Sequence, residues 1–224
     1  MTPSKSTRST LLAASVVLGV ASGCASAVGR PAEPPTPAET DASAARDFEA
    51  LYRARADSAA LRFTEADVRF VTDMIGHHAQ ALEMAGLVPD RSENGTLEVL
   101  AARIVNAQED EIEIMRGWLS DRGRPLPDLT LPGAAHAHLP GMVTPEQLGS
   151  LAAARGEEFD RLFLSYMVQH HQGAVDMVHG LFATDGAAQG ESTFRLASDI
   201  QVDQITEISR MQQMLARLSA PTGR

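Results

Sequence analysis

Residues 74–84 and 167–177 say the same thing twice, and the spacing of what they repeat leaves few folds open. Met74-Ile-Gly-His77-His78-Ala-Gln-Ala-Leu-Glu-Met84 shares five of eleven positions (Met, His, His, Ala, Met) with Met167-Val-Gln-His170-His171-Gln-Gly-Ala-Val-Asp-Met177, and three more exchange Ile/Val, Leu/Val and Glu/Asp. Asp67 and Phe70 precede the first motif as Asp160 and Phe163 precede the second. Gln108, Glu111, Ile112 and Met115 follow the first as Gln204, Glu207, Ile208 and Met211 follow the second, with three extra residues between the segments of the second half. Each half is one unit of two segments, and the unit is duplicated.

The period inside each segment is helical. Asp67, Phe70, Met74, His77/His78, Ala81 and Met84/Ala85 advance by three or four residues, which places them on one face of an α-helix with the two histidines flanking its centre. Gln108, Glu111/Ile112, Met115 and Trp118/Leu119 form a second such stripe. Thr64-x-x-Asp67 is a capping-box-like start, Thr144-Pro145-Glu146-Gln147 adds Pro at a first helical position, and Gly123 with Pro125 and Pro127 behind it ends a helix. Alternating runs bounded by turn residues are absent. The sequence predicts four long helices at 64–87, 96–121, 156–184 and 192–218, with short ones at 44–60 and 145–154. Short connections within each half and a long Pro/Gly-rich link at 122–143 give hairpin, crossover, hairpin. That is an all-α fold with the connectivity of a ferritin-like four-helix bundle; up-down-up-down connectivity is the alternative.

The beginning of the chain reads differently. Lys5 and Arg8 precede an apolar run, Leu11 to Val20, too short for a permanent membrane span, so residues 1–23 read as a signal peptide. Ala21-Ser22-Gly23-Cys24 resembles a bacterial lipobox, in which Cys24 is lipidated and the protein is anchored on the extracytoplasmic side of the membrane. Residues 24–45 are rich in Ala, Pro, Glu and Thr and are expected to form a disordered tether, leaving 46–219 as one domain. With Cys24 the only cysteine, disulfides contribute nothing, and an exported site cannot rely on free thiols. Loss of Lys5 and Arg8 takes the formal charge from −10 to −12, and basic clusters are missing, which argues against nucleic acid as a partner.

Four His, two Gln, two Glu and two Asp recur at matched places on otherwise apolar stripes. Buried without partners, each ionised group would cost several kcal/mol, on the order of the desolvation penalties measured in proteins. They must pair with one another, reach solvent at a bundle end, or bind an ion. Met stripes by themselves are ordinary core. Met and His together, however, offer the soft and borderline donors that suit copper, above all Cu(I). Di-iron bundles instead use Glu-x-x-His, which no long helix here carries, and zinc has no need of Met. His136, His138 and Met142 form a further His/Met group in the link. An enzyme would need an open coordination position and a substrate pocket, and the sequence displays neither.

Asp-x-x-Phe-x-x-x-Met-x-x-His-His-x-x-Ala-x-x-Met, twice, each followed by Gln-x-x-Glu-Ile-x-x-Met, resembles the DUF family 305, a domain of unknown function. Phe159-Asp160-Arg-Leu-Phe163-Leu and Pro140-Gly141-Met142 resemble that family's central signature, and the likeness covers about residues 46–219. It implies a ferritin-like helical bundle, usually exported, with some members implicated in copper binding. The family's metal positions fall on Met74, His77, His78, Met84, Met167, His170, His171 and Met177 here. Asp67, Asp160, Gln108, Glu111, Met115, Gln204, Glu207, Met211, His136, His138 and Met142 are supporting or additional ligand candidates. The expected function is copper sequestration or delivery; a metal-dependent oxidoreductase or a metal-free structural bundle are the alternatives. Met214, where the first half has Trp118, departs from the repeat as a replaced core residue or an extra sulfur ligand.

Overall fold

The computed structural model describes residues 45–51, 53, 62–128 and 138–219. The expected signal peptide, Cys24, nearly all of the tether, His136 and most of the second half of the leading helix lie outside these residues. Residues 45–51 are helical, and no strand occurs among the described residues. The ordered elements are α1 (Glu65–Ala85), α2 (Val88–Arg91), α3 (Gly95–Asp121), α4 (Pro145–Ala153), α5 (Gly156–Phe182) and α6 (Glu191–Ser219). The four long helices begin and end within a few residues of the spans expected from the sequence. The short α2, introduced by Pro89 in its first turn, was not foreseen.

The predicted start signals act as written. Thr64 and Asp67 close a reciprocal capping box on α1, and Thr144 and Gln147 close another on α4. Asn94 caps α3 by accepting from the N–H groups of Thr96 and Leu97. Gly123, at φ +62°, follows the end of α3, where Arg124 N–H bonds back to Leu119 O.

α1 packs against α3, α5 against α6, and α1 crosses α5. The apolar faces collect into two clusters. One holds Phe70, Met74, Ile112, Met115, Trp118, Val178 and Ile200, with Met177 packed against it. The other holds Met84, Leu97, Ile104, Phe159, Phe163, Met167 and Met211. The first part of α1 thus shares a cluster with the last part of α5, and the reverse, so these two helices run antiparallel. Met214 packs on the rim of the second cluster.

Each half grips the other at its helix starts. Asp67 at the start of α1 accepts from the N–H of Ala188, in the turn of the second half, at 2.7 Å. Asp160 near the start of α5 accepts from Ser92 Oγ at 2.6 Å and Asn94 Nδ2 at 3.1 Å, in the turn of the first half.

A candidate metal centre between two apolar clusters

Along every long helix the residues that separate the two apolar clusters are polar. They are His77 and His78 on α1, Gln108 and Glu111 on α3, His170 and His171 on α5, and Gln204 and Glu207 on α6, all classed as buried. The result is a polar belt at mid-height of the molecule, bounded on each side by a cluster that contains three of the repeated methionines.

The belt is two-fold in its bonding. His78 Nε2–H donates to Glu111 Oε2 at 2.7 Å, and His171 Nε2–H donates to Glu207 Oε2 at 2.7 Å. The separations in sequence are 33 and 36 residues, so the three-residue insertion lies in the turn and leaves the pairing intact. At the centre the rings of His77 and His170 lie against each other, centroids 3.9 Å apart and planes inclined at 36°. His170 Nε2–H donates to the His77 carbonyl at 3.0 Å, and His77 Nε2–H donates to the Pro140 carbonyl at 3.0 Å. Each acceptor is a carbonyl or a carboxylate oxygen, which fixes the proton on Nε2 and leaves the lone pair of each neutral ring on Nδ1. The Nδ1 atoms of His78, His170 and His171 are buried with no hydrogen-bond partner among the described residues. Burial, reinforced by His77, His171 and His78 around it, holds the His170 pKa well below its ordinary value. That ring is neutral, the form in which imidazole binds metals.

The crossover completes one side of the belt. Gly141 adopts φ +73°, and a Cβ there would lie 2.6 Å from Gln169 O and 2.7 Å from the Cα of Gly173. Two glycines therefore let the Pro140 carbonyl reach His77. Gln80 fixes the crossover two residues beyond Gly141, donating to Val143 O at 2.9 Å and accepting from Val143 N–H at 2.8 Å. Sequence reasoning missed Gln80, Gln169 and Gly173 as positioning residues. The available signal was the place where the repeat breaks, since Gly76 and Gln80 stand opposite Gln169 and Gly173.

The other candidate residues make the following contacts. The carboxylates of Asp67 and Asp160 serve the clamps between halves, and Asp67 lies about 15 Å along α1 from His77. Met84 and Met177 are six residues beyond His78 and His171, and each joins the cluster of the other half's first methionine, Met167 and Met74 respectively. Met115 and Met211 follow Glu111 and Glu207 by one turn and are fully buried. Met142 is buried in the crossover, and His138 is exposed. Among the described residues no three His, Cys, Asp or Glu side chains form a ready-made metal cage. The methionine sulfur atoms of the two clusters lie on either side of the belt's imidazoles.

The sequence profile of the domain of unknown function DUF305 matches residues 67–215. The chain belongs to the DUF305 family. No curated protein sequence matches it. A DUF305 protein of Streptomyces coelicolor, described as secreted, is 31% identical, with TM-score 0.60 over 71% of this chain and 96% of its own. A DUF305 fragment of Deinococcus radiodurans is 34% identical, with TM-score 0.61 over 69% and 98%. CopM in its Cu(I)-bound form is 30% identical, with TM-score 0.56 over 69% and 98%, and CopM also has Ag-bound and Cu(II)-bound structures. The DUF305 domain of this chain is thus helical without strands among the described residues, and one relative of known structure, CopM, has been seen with Cu(I), Cu(II) and Ag.

Proposed function

We propose that the protein binds copper, Cu(I) in preference, in the polar belt, and sequesters it or passes it on outside the cytoplasm. His77, His78, His170 and His171 are the nitrogen donors and Met74, Met84, Met167 and Met177 the sulfur donors, with Met115 and Met211 as further thioethers. Glu111 and Glu207 hold their histidines in the ligating tautomer, as carboxylates commonly do behind metal-bound imidazole. Gln108 and Gln204, each with a buried side-chain oxygen lacking a donor, support the same layer. One observation carries the reading. The Nδ1 lone pairs of His78, His170 and His171 are buried without a donor while the opposite nitrogens are all engaged. A buried acceptor left in this state costs about 1–3 kcal/mol, and a metal ion removes that cost. The copper-bound state of CopM, a relative at 30% identity, supports the choice of metal.

The hairpin, crossover, hairpin order supports a ferritin-like four-helix bundle as the architecture. We further read residues 1–23 as a signal, 24–45 as a tether anchored by lipid on Cys24, and 46–219 as the exported domain. The secreted relative agrees with export, and no helix among the described residues is long and apolar enough to cross a membrane.

The test is a Cu(I) titration against a competing chelator. The wild type is expected to take up Cu(I) more tightly than Zn(II), and the pair His78→Gln/His171→Gln to lose most of that uptake while remaining helical by circular dichroism. Wild-type uptake by the double variant, or no uptake by the wild type, overturns the reading.

A further inference from the structure

α3 and α6 do not pack closely, and two hollows lie end to end between them, one lined by residues 96–103 and 210–217 and the other by residues 107–114 and 192–203; together they form a groove between the two helices. One end of it is lined by Arg103, Arg210 and Arg217 over a floor that includes Leu100 and Met214. These three guanidiniums make no hydrogen bond or ion pair with the described residues, although the chain carries a formal charge of −10. The other end is a hollow of about 740 Å3 lined by Asp110, Asp199 and Asp203, with Glu111 behind them. None of the three aspartates has a cationic partner among the described residues, and Arg195 beside them is already paired with Glu191 at 3.0 Å. Burial and the neighbouring Glu111, Glu207 and Asp199 raise the Asp203 pKa, the mark of carboxylates crowded without a counter-charge. Between and around these ends stand Val99 at 62%, Ile114 at 58% and Val202 at 62% exposure, large apolar side chains left in water.

We propose that the α3–α6 face is an interface between two copies of this chain related by a two-fold axis that lies in the interface and crosses the groove at right angles. Half a turn about that axis lays the arginine end of each copy on the acidic end of the other, so the complementary contact forms twice and buries the exposed valines and isoleucine. The change of sign along one groove selects the occupant. An anionic ligand or a membrane surface satisfies only the arginines, and a cation only the aspartates. A partner must carry the reversed pattern to satisfy both ends, and a second copy of this face does. The interface does not depend on copper, so it stands or falls apart from the proposed metal function.

Analytical ultracentrifugation of the metal-free protein tests it. The wild type is expected to sediment as a dimer at high micromolar concentration and to weaken as salt screens the ionic ends. Two variants reverse most of one end each: Arg103→Glu/Arg210→Glu leaves Arg217 alone among carboxylates and gives a predominantly acidic face, and Asp199→Arg/Asp203→Arg leaves Asp110 and Glu111 and gives a predominantly basic one. Each alone is expected to lose self-association by about a hundredfold, and an equimolar mixture to recover a heterodimer, because only unlike faces then match. Helicity by circular dichroism establishes that both variants fold; if either is unfolded, the single changes Arg103→Glu and Asp203→Arg replace them. A monomeric wild type overturns the proposal, as does a mixture that fails to pair. A monomer that binds anionic vesicles through the arginines overturns it too, and assigns that end to lipid.

Discussion

His170 is fully enclosed in the belt, its ring against that of His77 and bonded to the His77 carbonyl. Its folded pKa lies below the unfolded value of about 6.5, so in the metal-free protein the unfolded chain binds the extra proton first. Stability attached to this residue is therefore complete above pH 6.5 and falls as the pH drops below it, by up to about 1.4 kcal/mol per pH unit until the folded-state pKa is reached. Urea unfolding of apo protein across pH 5–7.5 checks this, and His170→Gln is expected to flatten the slope. The repeated motif made the four histidines and their glutamates legible, because one period placed all of them on facing stripes. Asp67 and Asp160 were on the same stripes, yet their partners, Ala188, Ser92 and Asn94, sit in turns 66 to 121 residues away. No local period encodes a contact of that kind, so the clamp between the halves cannot be read from the repeat.

Helix ends were legible for a related reason: a cap is a contact between near neighbours in sequence. Thr64, Asp67, Thr144, Pro145 and Gly123 all acted where the sequence placed them, whereas the seating of the crossover depends on Gly141 meeting Gly173 across a distance no motif records. Gly173→Ala is expected to destabilise the protein by about 1–3 kcal/mol, since the new Cβ would lie 2.6 Å from the Cα of Gly141 in a place enclosed by backbone. It also pushes the Pro140 carbonyl away from His77. Gly180→Ala, on the same helix with nothing within 4 Å of its added Cβ, is the control and is expected to stabilise by roughly 0.5–1 kcal/mol through helix propensity. Thermal melts of the two variants separate steric closeness from glycine's general cost in a helix.

For the molecule as a whole, the belt divides the interior so that each apolar cluster draws on both halves of the duplication. The proposed anchor leaves this interior alone. Cys24→Ser is expected to move the protein from the membrane fraction to the soluble one without changing the melting temperature of the domain, because residue 24 precedes the fold and a Pro-rich segment separates them. Membrane fractionation with mass analysis of the mature N-terminus checks it; unchanged fractionation without lipid mass would end the anchor reading.

The reciprocal clamps have a consequence for how the fold can be taken apart. Asp67 Oδ1 and both oxygens of Asp160 take hydrogen bonds that the opposite hairpin supplies, and the Met74 and Met167 clusters each need apolar residues from both. A lone hairpin would leave Asp67 with only its own Thr64, or Asp160 without Ser92 and Asn94, and half of two cores in water. The hairpins are complementing fragments: what joins them is mutual completion of their interiors, and the covalent crossover contributes mainly by keeping the complement at hand.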